Sequence, residues 1–336
     1  MMTKPLATFL LFLLASLAFP GLQAASLEED RKSAGQGAAA GQFSLGLRYE
    51  TGKDVDRDYA TAAEWYRKAA QQGHKKAQTN LGNLYRAGKG VDKDYGEAMQ
   101  WYHKAAEQGD TKSMLNLATL YAMGQGVDKD EAAGLKWLEQ AAGAGDAQAM
   151  VQLGNMYRSG KGVDKNLEMS TEWYRLAAAK GDAVAAHNLG LSYYTGKGNR
   201  KDFAESVKWH RKAADKGYPP AEYSLGLRYA KGDGVQQDYG EAAGWYRKAA
   251  KHGHSSAQNN LGVLYRDGRG VKKDYAEALQ WFRKAAERGH AQAQVNLGNL
   301  YLKGQGVKQD RDAARKWFAR AAEQGHKGAA KALESM

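Results

Sequence analysis

The 336-residue sequence contains no cysteine. The chain therefore has no disulfide bonds, and it lacks the residue that carries the lipid anchor of a bacterial lipoprotein. Its stability must come from packing of the chain itself.

Motifs of several enzyme classes are missing as well. The sequence has no HExxH zinc motif, no GxSxG nucleophile motif and no SxxK motif. Its Gly-Lys pairs are followed by Asp54, Gly90, Gly162 or Gly198, and never by the Ser or Thr with which a phosphate-binding loop holds magnesium. We therefore predict that the protein is not an enzyme and binds no cofactor.

One long hydrophobic run is present, from Leu6 to Phe19, preceded by Lys4 and followed by the small residues Ala24 and Ala25. This arrangement predicts a secretory signal peptide over residues 1–24, because the run is short and lies near the start of the chain. An uncleaved membrane anchor is the alternative. We expect a periplasmic or secreted protein with no stable membrane insertion after the signal is removed.

The most prominent feature of the chain is a repeat of 36 residues. All eight tryptophans fall on this period, at Trp65, Trp101, Trp137, Trp173, Trp209, Trp245, Trp281 and Trp317. A fixed period of this length predicts stacked supersecondary units in one array. We place an N-terminal cap at residues 25–40, eight repeats at 41–325 and a C-terminal capping helix at 326–336.

Each repeat contains two predicted helices. Helix A, from Ala77 to Ala87 in the second repeat, has apolar residues at helical spacing and ends at Gly88. Helix B follows from about Tyr95 to Gln108, with Asp94 as its N-cap. A glycine in the middle of helix A, Gly82 in this repeat, predicts close approach of a neighbouring helix. We expect the tryptophans of helix B to be buried, so that replacing Trp173 by Ala destabilises the fold by several kcal/mol.

The repeated pattern LGxxYxxGxGVxxDxxxAxxWYxKAAxxG resembles the Sel1-like repeat family, a branch of the tetratricopeptide-like helical solenoids, over residues 27–336. The resemblance implies an all-α, right-handed α-solenoid of eight 36-residue helix-turn-helix repeats with half-repeat caps. It also implies an adaptor that binds a protein or peptide. The chain departs from the pattern at Ala118, Gly134, Asn199 and His210.

Two other functions remain open at this point. One subgroup of the family is cysteine-rich and has been linked to penicillin-type compounds, so an envelope hydrolase, or a hydrolase modulator, acting on peptidoglycan or β-lactams is an alternative. The absence of cysteine argues against membership of that subgroup. The second alternative is a binder of anionic envelope polysaccharide.

The chain is basic, with a formal net charge of +12. Many of the cations lie on helix B, at Arg67, Lys68, Lys104, Arg175, Arg211, Lys212, Arg247, Lys248, Arg283 and Lys284. We favour a solvated helix face as the explanation of this basic ridge. An anionic envelope polymer is a candidate partner by long-range attraction, whereas export argues against nucleic acid.

Helix A carries the candidate binding residues. Amide side chains stand before the Leu-Gly pair and three residues further on, a spacing that puts them on one helix face, and arginines flank them. In solenoids of this family, helix A lines the concave side. We predict a ligand-binding stripe that consists of Asn80, Asn83, Arg86, Asn116, Asn155, Arg158, Asn188, Asn260, Arg266, Asn296 and Asn299. The alternative is that these amides bond to adjacent repeats.

Four histidines share one turn position, at His74, His254, His290 and His326. We interpret them as polar residues of the turn between repeats. His252 and His254 suggest a metal pair, but two imidazoles without a third ligand make a poor site, so we predict no metal.

Overall fold

The computed structural model describes residues 26–336, so the predicted signal peptide lies outside the described part of the chain. These residues form eighteen helices and no strand. The helices are α1 Leu27–Gly35, α2 Ala39–Thr51, α3 Tyr59–Gln71, α4 Lys75–Ala87, α5 Tyr95–Glu107, α6 Thr111–Met123, α7 Glu131–Gly143, α8 Ala147–Ser159, α9 Leu167–Ala179, α10 Ala183–Thr195, α11 Phe203–Ala214, α12 Pro219–Lys231, α13 Tyr239–Lys251, α14 Ser255–Asp267, α15 Tyr275–Glu287, α16 Ala291–Lys303, α17 Arg311–Glu323 and α18 Lys327–Glu334.

The chain divides into two compact units. Unit 1 ends at Asp110 and contains α1 to α5; unit 2 begins at Thr111 and contains α6 to α18. Within each unit a helix packs mainly against the helices before and after it in sequence. Helix A is the even-numbered helix of each repeat, from α2 to α16, and helix B is the odd-numbered helix, from α3 to α17. The predicted all-α solenoid is confirmed.

The local signals that define the helices act as predicted. The Asp94 side chain accepts a hydrogen bond from the backbone N–H of Glu97 at 3.0 Å, and Asn166, the one substitute at this position, does the same for Met169. Helix α4 ends at Gly88 in the left-handed conformation, with φ of 66°. The bonds to Asp94 and Asn166 each satisfy a backbone N–H group that the start of a helix leaves unpaired.

The glycine in the middle of helix A is required by close packing. A Cβ atom on Gly82 would lie 2.7 Å from the ring of Tyr102 on α5. The predicted close approach of a neighbouring helix is therefore confirmed, and the group that lies against the glycine is a tyrosine ring of helix B. The ring of Tyr102 is fully buried.

The expectation that every tryptophan is buried is wrong for six of the eight. Trp101 and Trp245 are buried, whereas the other six, including Trp173, are half-buried. The fully buried ring is that of the next residue, for example Tyr174, which is 1% exposed. A lysine three residues after the tryptophan covers part of the indole, as Lys284 does at 4.4 Å from the centroid of the Trp281 ring.

Candidate functional site

The predicted stripe on helix A can be followed first on α4 in unit 1. The Asn83 Oδ1 atom accepts a hydrogen bond from the Tyr102 hydroxyl at 2.8 Å. Arg86 is exposed, and its guanidinium lies close enough to that hydroxyl to interact with it. Burial raises the pKa of Tyr102 to about 12, so the hydroxyl stays protonated and continues to donate. The same burial raises the pKa of Tyr66, whose hydroxyl interacts with Asn80.

In unit 2 the stripe forms a hydrogen-bonded chain that joins two repeats. Asn155 on α8 accepts from the Tyr174 hydroxyl at 2.7 Å and from Arg158 Nη2 at 3.2 Å. Arg158 Nη1 in turn donates to Asn188 Oδ1 on α10, at 3.5 Å. Arg158 is exposed, while Asn188 is buried. An exposed guanidinium is thus positioned by two amides that lie deeper in the fold.

Further along unit 2, the amides bond to one another. Asn296 Nδ2 donates to Asn259 Oδ1 at 2.9 Å, and Asn259 Nδ2 donates to Asn260 Oδ1 at 3.2 Å. Arg266 is half-buried and forms an ion pair with Asp267 at 2.7 Å. Asn299 is half-buried, and the residue 19 positions later is Phe318, which has no hydroxyl.

The structure therefore gives the predicted residues different positions. Asn188 and Asn296 are buried in contacts between repeats, as the alternative interpretation of the stripe requires. Asn116 on α6 is half-buried and has an interaction partner within the fold. Arg86 and Arg158 are the exposed charges of the stripe.

The basic ridge of helix B is more ordered than a solvated face. Arg67, Arg247 and Arg283 each donate from Nη2 to a tyrosine hydroxyl 18 residues later, at 3.0, 2.9 and 2.8 Å. The acceptors, Tyr85, Tyr265 and Tyr301, lie on helix A of the next repeat. These bonds join consecutive repeats, and two periodic positions separated by 18 residues are the signal for them in the sequence.

The four histidines at the shared turn position are N-caps. The Nδ1 atom of His74, His254, His290 or His326 accepts the backbone N–H three residues later at 3.2 Å. Asp146 and Asp182 make the same bond at the same repeat position. The exchange of His for Asp, a common N-cap residue, at this repeat position is the signal in the sequence for the capping role. Because His254 Nδ1 is already an acceptor, that nitrogen is not open to a metal ion.

Residues 26–336 contain no group of three or more His, Asp or Glu side chains placed to hold a metal ion. They also contain no helix with the length and apolar character needed to cross a bilayer.

The family model described as the Sel1 repeat matches this chain eight times in succession, over residues 39–74, 75–110, 111–146, 147–182, 183–218, 219–254, 255–290 and 291–326. The chain belongs to the Sel1 repeat family, whose members are protein-interaction scaffolds and generally non-catalytic.

Two solved structures are similar over most of the chain. One is a protective antigen present in uropathogenic Escherichia coli strains, with 36% identity and a TM-score of 0.85, covering 93% of this chain and 67% of the antigen. The other is a Sel1 repeat protein from Oxalobacter formigenes, with 34% identity and a TM-score of 0.71, covering 93% of this chain and 90% of that protein. No curated protein matches this chain.

Proposed function

We propose that this chain is an exported, non-enzymatic scaffold that binds another protein or a peptide along the stripe on helix A. The observation that carries the proposal is the arrangement around Arg158. Its guanidinium is exposed but is held by Asn155 and Asn188, which belong to consecutive repeats. A preorganised cation loses little conformational freedom when it binds a carboxylate, and arginine can bind a carboxylate through two parallel hydrogen bonds.

The amides supply the second part of the recognition. Both hydrogen bonds that Asn155 accepts use its oxygen, so the amide nitrogen keeps its capacity to donate. Donors of this kind suit the backbone carbonyl groups of an extended peptide. The half-buried Asn299, on α16, has the same position in its repeat.

Export forms part of the proposal and rests on the sequence of residues 1–25. The relative in uropathogenic E. coli is described as a protective antigen, and this description makes export the first case to test. Fractionation of the native cell, with protease added to intact cells, distinguishes a periplasmic protein from one outside the cell. Recovery of the full-length chain in the cytoplasm would exclude this part of the proposal.

The binding surface is tested by crosslinking in the native cell. A photoreactive amino acid is placed at Arg158 on the stripe or, as a matched control, at the exposed Leu176 on helix α9. We expect a discrete crosslinked species from position 158 and none from position 176, with the partner identified by mass spectrometry. Equal crosslinking from both positions would show that the stripe is not the binding surface.

A further inference from the structure

An apolar groove interrupts the stripe in the third repeat. It has a volume of about 390 Å³, near the lower end of the range of about 300–1,000 Å³ that is usual for ligand pockets. It lies between α6, α7 and α8, all within unit 2. Apolar side chains dominate its lining: Ala118, Ala122, Met123, Leu135, Leu138 and Met156.

The groove exists because this repeat lacks the large buried ring of helix B. That position holds Leu138 here, whereas the other seven repeats have Tyr, Phe or His. The facing residue is Ala118 in place of glycine. In the fourth repeat a Cβ on Gly154 would lie 2.6 Å from the Tyr174 ring, so an alanine at this position is compatible only with a smaller partner such as leucine.

The missing ring would point into the groove. In the second and fourth repeats the tyrosine hydroxyl bonds to Asn83 or Asn155 on helix A. The equivalent residue of the third repeat is Thr119, and it lines the groove. The space is thus a side-chain site of the repeat that the chain itself leaves unfilled.

The loop before α9 also stands away from α7. The turn after helix A has two glycines in most repeats, Gly196 and Gly198 in the fifth. In five other repeats, a Cβ on the second of these glycines would lie 2.0–2.5 Å from the first residue of helix B of the preceding repeat, as at Gly198 and Gly270. At Gly162 the nearest atom is Met156 Cε at 3.2 Å, followed by the Glu131 carboxylate at 3.8 Å. The groove therefore opens to solvent at this loop.

The charges at its mouth indicate the kind of ligand. Lys129, Lys161 and Glu131 line the groove, and Lys129 forms an ion pair with Glu131 at 2.6 Å. Lys161 is exposed, and the three charged side chains of the mouth together carry one positive charge in excess. Met123, 63% exposed, is a flexible apolar side chain at the rim.

We propose that this groove receives one large apolar side chain of an extended peptide, with an acidic residue next to it that binds Lys161. The apolar lining and the net positive charge of the mouth together support this occupant. The inference rests on the proposed function for its peptide partner, and it assigns the anchor residue that the polar stripe alone does not specify.

The test uses the full mature chain with ¹³C-labelled methionine methyl groups. Met123 and Met156 report on the groove, and Met169, exposed on helix α9, is the internal control. The probe is the peptide acetyl-GSDLEGS-amide, compared with an alanine-centred version and with a version whose acids are replaced by amides. We expect saturable shifts at Met123 and Met156 only. We also expect about tenfold weaker binding of the alanine peptide and weaker binding of the amide peptide at low salt.

Two variants test where the probe binds. The double change Ala118→Gly with Leu138→Tyr restores the pair found in the second repeat, Gly82 with Tyr102, and should abolish binding without lowering Tm. Lys161→Glu should weaken binding about tenfold. Lys89→Glu, at the same loop position of the second repeat, should not. If the double variant does not fold, Lys161→Glu with its control still decides whether the mouth binds the acid.

The outcomes separate this inference from the proposed function. Shifts at other methionines with unchanged groove signals would overturn the groove proposal and leave peptide binding intact. Groove shifts that survive Asn155→Ala with Arg158→Ala would support the groove and count against the stripe. No shift up to about 5 mM peptide, or equal affinity for octanoate, would overturn the apolar-acidic peptide as the occupant.

Discussion

Two segments of the chain, residues 43–52 and 223–232, have nearly the same sequence, but their arginines have different environments. Arg48 Nε donates to the buried Asp30 carboxylate at 2.6 Å, and Arg48 also pairs with Asp54. Arg228, at the equivalent position, is buried with no hydrogen-bond partner at its Nε or Nη1 atom. Its nearest carboxylate, that of Asp233, is 3.6 Å away, beyond hydrogen-bonding distance.

The residue 18 positions earlier accounts for the difference. In unit 1 this residue is Asp30, on the capping helix α1. In unit 2 it is His210, which is fully buried and has no hydrogen-bond partner at either ring nitrogen. Arg228 instead lies over the Tyr194 ring, with its guanidinium carbon 3.4 Å from the ring centroid. Hydrogen bonding to Asp30 raises the pKa of Arg48, whereas burial lowers the pKa of Arg228.

The comparison shows that a helix sequence does not determine the electrostatics of its own buried residues. An arginine at this position is stabilised by an ion pair where the preceding helix is a cap, and by an aromatic ring where the preceding helix belongs to a repeat. Removing the two arginines should therefore affect stability differently. Without Arg48 the Asp30 carboxylate is buried without its partner, and a buried charge of this kind is strongly unfavourable.

The largest expected effect follows from removing each arginine. Arg48→Met leaves the Asp30 carboxylate buried without its partner and should lower the free energy of unfolding by about 3–5 kcal/mol. Arg228→Met removes a poorly paired buried charge and should change it by less than about 1 kcal/mol. Urea denaturation of both variants is the measurement. Equal destabilisation would mean that the two arginines are paired equally well.

The neighbouring tyrosines sharpen the comparison. The Tyr66 hydroxyl donates to the Glu50 carboxylate, whereas the residue equivalent to Glu50 in the other segment is Ala230. Tyr66→Phe should therefore destabilise by about 1.5–3 kcal/mol, the range for a hydrogen bond to a charged group.

The matched change is Tyr246→Phe, and it should have a smaller effect because no carboxylate is lost. Thermal unfolding of the two variants gives the comparison directly. A larger loss for Tyr246→Phe would contradict the bond from the Tyr66 hydroxyl to Glu50.

Low pH should destabilise the surroundings of residues 223–232 through His210 and its neighbour His187. The ring centroids of these two histidines are 5.1 Å apart. Burial lowers the pKa of His210 to about 3 and that of His187 to about 4. The unfolded chain binds more protons than the folded one below the ordinary histidine pKa of about 6.5, so their contribution to stability is complete above that pH and is lost as the pH falls. For His210 the expected loss is about 2 kcal/mol at pH 5.

His210→Phe, which restores a ring found in other repeats, should flatten the dependence of the unfolding free energy on pH between 7 and 5. Arg228 also faces this cluster and stays charged throughout, so it does not contribute a titration. His103→Phe on α5 is the control, since that ring is only half-buried. An unchanged pH profile in His210→Phe would show that the ring is hydrated in the folded protein.

Most of the fold could be predicted from the sequence because its signals are local. Asp94 and Gly88 lie at the helix ends that they define, and the 36-residue period fixes which helices are neighbours. The choice of buried ring was not predictable in this way. Trp173 and Tyr174 are adjacent on helix B and both border its apolar face, so the packing against helix A decides which one is enclosed.

The site was predictable in part. The stripe residues were identified by spacing, but spacing does not distinguish the exposed Arg158 from the buried Asn188. The groove depends on Ala118 on α6 and Leu138 on α7, which both line it. Ala118 and Gly134 were recognised as departures from the pattern, but Leu138 acquires its meaning only when it is seen to face Ala118.

The smallest expected effect concerns a stacked histidine that both segments have in common. Phe43 stacks on His74 and Tyr223 stacks on His254, each with ring centroids 4.5 Å apart and planes at 25°. Both histidines also cap a helix through Nδ1 at 3.2 Å.

Since the two environments match, His74→Ala and His254→Ala should each destabilise by about 1 kcal/mol, the usual effect of losing an N-cap. His74→Asp and His254→Asp keep the cap, as Asp146 does in the fourth repeat, and lose only the stacking. Urea denaturation at pH 7.5 measures all four variants. Unequal losses for the two alanine variants would mean that the environments of α2 and α12 differ along the whole helix. Equal losses would mean that they differ only around Arg48 and Arg228, through the partner that the preceding helix supplies.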